Sequence, residues 1–118
     1  MIVIDRLVWN NGLSDYQDMW MEWGSYRGGG LALQLSGAEG PIARVTINLA
    51  AYDLHPDLKC FFIKNYSECE GLGEALVNAG VVERTGRKTV EFGPFGTTAD
   101  EYRLTDQAKD DLYENPSL

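Results

Sequence analysis

The feature that most limits how this chain can fold is a pair of alternating segments on either side of a turn. Leu31, Leu33 and Leu35 alternate with Ala32, Gln34 and Ser36. Beyond Gly37-Ala38-Glu39-Gly40-Pro41, the residues Ala43, Val45, Ile47 and Leu49 alternate with Arg44, Thr46 and Asn48. Successive side chains of a strand point to opposite faces, so a repeat of two across a Gly/Pro connection predicts a β-hairpin with one apolar face. Such a face must be covered. The cover is predicted further along. Ser67 and Glu70 are spaced as a capping box, Leu72, Ala75, Leu76 and Ala79 form one helical stripe, and Gly80 stands where a left-handed residue would stop the helix. Glu68, Glu70 and Glu74 suit the positive end of that helix. The stripe is expected to pack on the hairpin's apolar face.

Around this unit the chain reads mostly as strand. Met1 to Trp9 is aliphatic and ends at the turn signal Asn10-Asn11-Gly12. Residues 14–27 admit two readings. Ser14 and Gln17 resemble a capping box, with Tyr16, Met19, Trp20 and Trp23 on one helical face. Met19 to Tyr26 also reads as an aromatic-rich strand, the preferred assignment. Lys59 to Lys64 is a short apolar strand. Val81 to Arg84 and Lys88 to Phe92 flank Thr85-Gly86-Arg87 as a second hairpin, broken by Gly93-Pro94-Phe95-Gly96. Glu101 to Thr105 is a last strand, and Thr105-Asp106 caps a short helix through Leu112, with residues 115–118 frayed. The fold class is α+β. The expectation is one domain over 1–118: a mostly antiparallel sheet of five or six strands, one principal helix on one face and a short C-terminal helix.

Charge narrows the partners. Eighteen Asp and Glu against ten Lys and Arg give a net charge of −8 over 118 residues. A surface of that sign repels nucleic-acid phosphates and anionic membranes but complements a basic protein surface. Two cysteines, Cys60 and Cys69, are too few for a disulfide scaffold and are read as reduced thiols. Met1 to Arg6 lacks the basic, apolar pattern of a signal peptide, and no run suits a membrane-spanning helix, so a cytoplasmic protein is expected.

No catalytic arrangement stands out, and a non-enzymatic protein without cofactor or metal is expected. His55 is the single histidine, beside Pro56 in a polar loop, and no nucleophile motif surrounds any serine or cysteine. Asp53, His55 and Asp57 stand at alternate positions and could face one way around a divalent cation, although Pro56 interrupts them. Gly28-Gly29-Gly30 leads into a strand, whereas a phosphate cradle needs the amides of a helix N-terminus. The helix ending at Gly80, the Thr85-Gly86-Arg87 turn and the segments beyond it have the order of a winged-helix ending, with Arg84, Arg87 and Lys88 as phosphate contacts. Against that DNA-binding regulator stand the acidic helix and the strands that precede it. The acidic side chains are bunched into two candidate partner-binding groups: Asp15, Asp18 and Glu22, then Asp100, Glu101, Asp106, Asp110, Asp111 and Glu114. The plainer reading of such groups is a solvated surface that maintains solubility.

Tyr26-Arg27 into Leu31-Ala32-Leu33-Gln34-Leu35, Val45-Thr46-Ile47-Asn48-Leu49, Asn65-Tyr66-Ser67-Glu68 with Glu70-Gly71-Leu72, Gly80-Val81-Val82-Glu83 with Thr85-Gly86-Arg87, and Tyr102-Arg103-Leu104-Thr105 form a longer pattern. From Arg27 to Thr105 it resembles a family of unknown function found in phages, plasmids and conjugative elements of gut bacteria. That resemblance implies a mobile-element accessory protein and assigns no catalytic residues. Combined with charge and size, it leads to an expected inhibitor of a host protein with a basic surface, such as a CRISPR or restriction nuclease complex. It would act by steric and electrostatic block of a nucleic-acid-binding surface, with no direct binding of nucleic acid or membrane.

Overall fold

The computed structural model describes residues 2–27, 30–57 and 59–113, with residues 112 and 113 described by their backbone alone. The strands form two four-stranded sheets in place of the expected single sheet of five or six strands. In the first sheet, β1 (Ile2–Trp9), β2 (Ser14–Ser25), β3 (Leu31–Gly37) and β4 (Gly40–Arg44) form an antiparallel meander in chain order. The second holds β5 (Thr46–Ile47), β6 (Cys60–Ile63), β7 (Val82–Phe92) and β8 (Thr97–Leu104) in the spatial order β5-β6-β8-β7.

The division into two sheets turns on Val45. Its N–H donates to the Leu33 carbonyl in the first sheet (2.9 Å), and its own carbonyl accepts from the Lys64 N–H beside the second (2.9 Å). The apolar alternation runs unbroken from Ala43 to Leu49, but its members enter different interiors. Val45 belongs to the main core, while Leu49 packs with Phe62 and Ala99 on the far face of the second sheet, with Ile47, Leu54, Val90 and Phe92 around them. The segment predicted as one strand is therefore two.

Residues 14–25 are strand, and the structure explains why they imitate a helix. The buried residues of β1 are Ile2, Ile4, Leu7 and Trp9, so their spacing slips from two to three between Ile4 and Leu7. Ile4 pairs with Met19 and Leu7 with Tyr16, so β2 slips at the same point. There Asp18 takes a left-handed conformation (φ 53°), which Asp tolerates better than most residues. Both strands thus change face together, and Tyr16 and Met19 acquire a helix-like separation.

The main core lies where one face of each sheet meets the other. Met19, Met21, Leu33 and Leu35 come from the first sheet, Phe61, Ile63, Val82, Tyr102 and Leu104 from the second. Helix α1 (Leu72–Asn78) adds Leu72 and Leu76. It packs mainly against β1 and β7, not on the 31–49 hairpin as expected. It is also shorter than predicted. Ser67 has φ 58° and opens a 3-10 turn over Ser67–Cys69, Gly71 (φ 80°) is the residue before α1, and no side chain caps that position. Instead the Gly73 N–H donates to Asn65 Oδ1 (2.6 Å), and Asn65 Nδ2 donates to the hydroxyl of buried Tyr102 (3.1 Å). Gly80 (φ 78°) ends the helix as predicted.

The second hairpin also departs from expectation. Thr85-Gly86-Arg87 lies inside the single long strand β7, at a register shift between Arg84 and Thr89, and the chain reverses at Gly93–Gly96 to pair with β8. Helix α2 (Asp106–Tyr113) begins where predicted, with Thr105 Oγ1 accepting the Ala108 N–H (3.2 Å). Residues 115–118 lie outside the described residues. Among the described residues no helix is long and apolar enough to cross a membrane.

Candidate functional site

The first acidic group lies along β2. Asp15 is held in a two-point pair with Arg6, Nε to Oδ1 at 2.9 Å and Nη2 to Oδ2 at 2.8 Å, on the exposed side of the sheet. That guanidinium keeps the Asp15 carboxyl below its ordinary range, chiefly by hydrogen bonding. Asp18 is the exposed corner of the face change. Glu22 accepts from Trp20 Nε1 (2.9 Å) and lies 3.5 Å from Ser36 Oγ.

The second group does not form one surface. Asp106, Asp110 and Asp111 are exposed on α2, with Lys109 3.4 Å from Asp106. Asp100 accepts from Thr89 Oγ1 (2.7 Å) and is half-buried. Glu114 lies outside the described residues. Glu101 must be removed from any partner-binding face, because it is only 1% exposed. One of its carboxylate oxygens accepts the Asp57 N–H (2.7 Å) and the other the Thr85 hydroxyl (2.7 Å), with Arg87 3.7 Å away. A buried carboxylate is tolerable only with such partners. Here they fasten the 48–57 loop over the second sheet and fix the irregular stretch of β7.

This hub was hidden in the sequence. Alternation along β8 puts Ala99, Glu101 and Arg103 on one face and Tyr102 and Leu104 on the other, as the burial of Tyr102 and Leu104 in the main core bears out. With a single sheet covered on one side, Glu101 would lie in water. It is buried because the second sheet is covered on both faces. Glu101 stands opposite Phe62 in the neighbouring strand, and that pairing cannot be read from the local pattern.

The Asp53, His55 and Asp57 row does not converge. His55 Nε2 is 3.3 Å from Asp53 Oδ1, both exposed, while Asp57 turns to Lys88 (3.1 Å) and Arg87 (3.5 Å). Lys88 also donates to the His55 carbonyl (2.9 Å). Arg87 and Lys88, assigned above to a wing, thus brace the loop that crosses the second sheet, and the turn that would form a wing lies within β7. Of the three glycines, Gly28 and Gly29 lie outside the described residues. Gly30 (φ 89°) accepts the Tyr26 N–H on its carbonyl at 3.0 Å.

Both cysteines are buried free thiols. Burial pushes Cys60 up, and the Glu101 carboxylate adds to the effect despite Arg87 Nη2 lying 3.5 Å from the sulfur. Burial also pushes Cys69 up. A thiol shifted that way carries less of the thiolate that reacts as a nucleophile. Searched against protein-family models, curated proteins and solved structures, the chain finds no match.

Proposed function

We propose that this is a small non-enzymatic binding protein, of the kind carried by mobile elements, that inhibits a host protein by covering a basic surface. The observation that carries this reading is the exposed acidic set that remains once Glu101 is removed. Asp106, Asp110 and Asp111 lie on eight-residue α2, facing one lysine, in a chain of net charge −8. Exposed Asp18 adds to it from β2, whereas the charge of Asp15 is matched by Arg6. Complementary potentials speed encounter and favour a partner of opposite sign, while the same field repels polyanions. A basic channel that normally holds DNA or RNA is the natural counterpart, and a CRISPR effector or restriction nuclease is the class of partner proposed.

The test is direct competition. Purified protein is added to such a nuclease, and both binding and cleavage of its nucleic acid are followed. The reading requires cleavage to fall in step with occupancy and binding to weaken as salt rises. A panel of these nucleases that neither binds nor slows would remove the assignment.

A further inference from the structure

We infer a second, independent site: a depression beside Cys60 that binds a small phosphate monoester with an apolar stem. The depression has a volume of about 460 Å³ and is ringed by Lys59, Arg87, Arg103 and Lys109, with Leu31 and Leu104 supplying apolar wall. In a chain where acids outnumber bases eighteen to ten, its lining among the described residues gathers four cations and no carboxylate. The matching acids stand outside that lining. Glu83 engages Arg103 Nε (2.7 Å), Asp106 lies 3.4 Å from Lys109, and Asp57 and buried Glu101 stand 3.5 and 3.7 Å from Arg87. Each arginine has five N–H donors, so these contacts orient the guanidinium groups without exhausting them.

Two backbone irregularities bring cations to this place. Lys59 has φ 65°, a conformation unusual for a residue with a side chain. Among the described residues it has no ion-pair or hydrogen-bonding partner for its ammonium group. Arg87 lies in the register shift of β7, and such irregularities re-aim side chains. Arg103 arrives by ordinary pairing, directly opposite Cys60 in the neighbouring strand. The space exceeds what a bare oxyanion fills and falls within the range of small-molecule pockets. A phosphate group would accept from the cations while its organic stem rests on Leu31 and Leu104. The acidic exterior does not forbid this, since at physiological ionic strength exposed charges are screened beyond about 8 Å.

Phenyl phosphate is the probe, titrated into the isotopically labelled protein and followed by amide shifts, with inorganic phosphate, benzoate and phenol in parallel. Saturable shifts are expected at Lys59, Cys60 and Arg103. Phenyl phosphate should bind more tightly than inorganic phosphate, benzoate or phenol. Lys59→Glu should weaken it about tenfold or more while leaving the unfolding midpoint unchanged, because the side chain is exposed and, among the described residues, no hydrogen bond or ion pair depends on it. Shifts that do not saturate, that phenol reproduces, or that survive Lys59→Glu would overturn the site. Tighter binding of benzoate would overturn the choice of phosphate.

Discussion

Glu101 and Gly73 are the two residues whose replacement should reveal most about this fold. Glu101→Ala would take away the buried carboxylate that accepts the part-buried Asp57 N–H and Thr85 hydroxyl, and would leave half-exposed Arg87 without that neighbour. Removing the acceptor leaves its donors unsatisfied, which costs more than the bonds' net contribution, so a loss of about 2 kcal/mol is expected in urea unfolding. A loss below about 1 kcal/mol, the scale of an ordinary hydrogen bond, would mean the loop is held by its apolar contacts alone. Gly73 tests the opposite error. Gly→Ala within a helix normally gains up to about 1 kcal/mol. Here a Cβ would lie 2.5 Å from the Tyr102 hydroxyl and 2.7 Å from Asn65 Nδ2, two groups already fixed by hydrogen bonding. Overpacking of that kind costs about 1–3 kcal/mol and would also disturb the bond from the Gly73 N–H, so Gly73→Ala should be destabilising. A Gly73→Ala protein that unfolds at the same urea concentration as the parent would show that Asn65 moves aside freely.

Among the elements, the turn before α1 offers a pH signature. Lys64, just past β6, pairs with Glu68 in the 3-10 turn, and this hydrogen bond is the main cause that lowers the Glu68 carboxyl from 4.5 to about 2. A carboxyl depressed by folding adds stability that is complete above its unfolded value. That contribution is lost as the pH falls from about 4.5 towards 2. The same pairing raises the Lys64 ammonium above 10.5, so its contribution is lost only in strong alkali. A carboxyl-detected titration should give Glu68 a midpoint near 2, returning towards 4.5 in Lys64→Met. A parent midpoint already near 4.5 would mean that the pair is open in solution. The strands were legible element by element because alternation and glycine-rich turns are local signals. Their grouping was not. Ala43 to Leu49 reads as one strand because its alternation continues through Val45, where the chain crosses between sheets. Thr85-Gly86-Arg87 has a turn's composition but the role of an irregularity within β7, and only the pairing partner in β8 distinguishes the two.

For the whole molecule, the legible quantity was charge, and its sign could be read without any structure. Its distribution could not, because burial decides which acids act at a distance. Glu101 stood among candidate surface acids and belongs to the interior, while Asp15 has its charge matched by Arg6. The acids of α2 therefore carry the partner-binding proposal, and neutralising them is its sharpest test. Asp106→Asn with Asp110→Asn removes two exposed negative charges and leaves the Thr105 cap and the buried Ala108 untouched. Exposed substitutions of this kind change stability by about 0.5 kcal/mol or less. If the acidic surface steers the protein to a basic channel, the association rate with the nuclease should fall about tenfold at low salt. The difference from the parent should then shrink as salt screens the field. Stopped-flow association at several ionic strengths would measure both effects. A rate that is unchanged at low salt would place the contact elsewhere on the molecule. A loss of affinity carried entirely by faster dissociation would mean that these acids touch the partner directly and do not act through their long-range field.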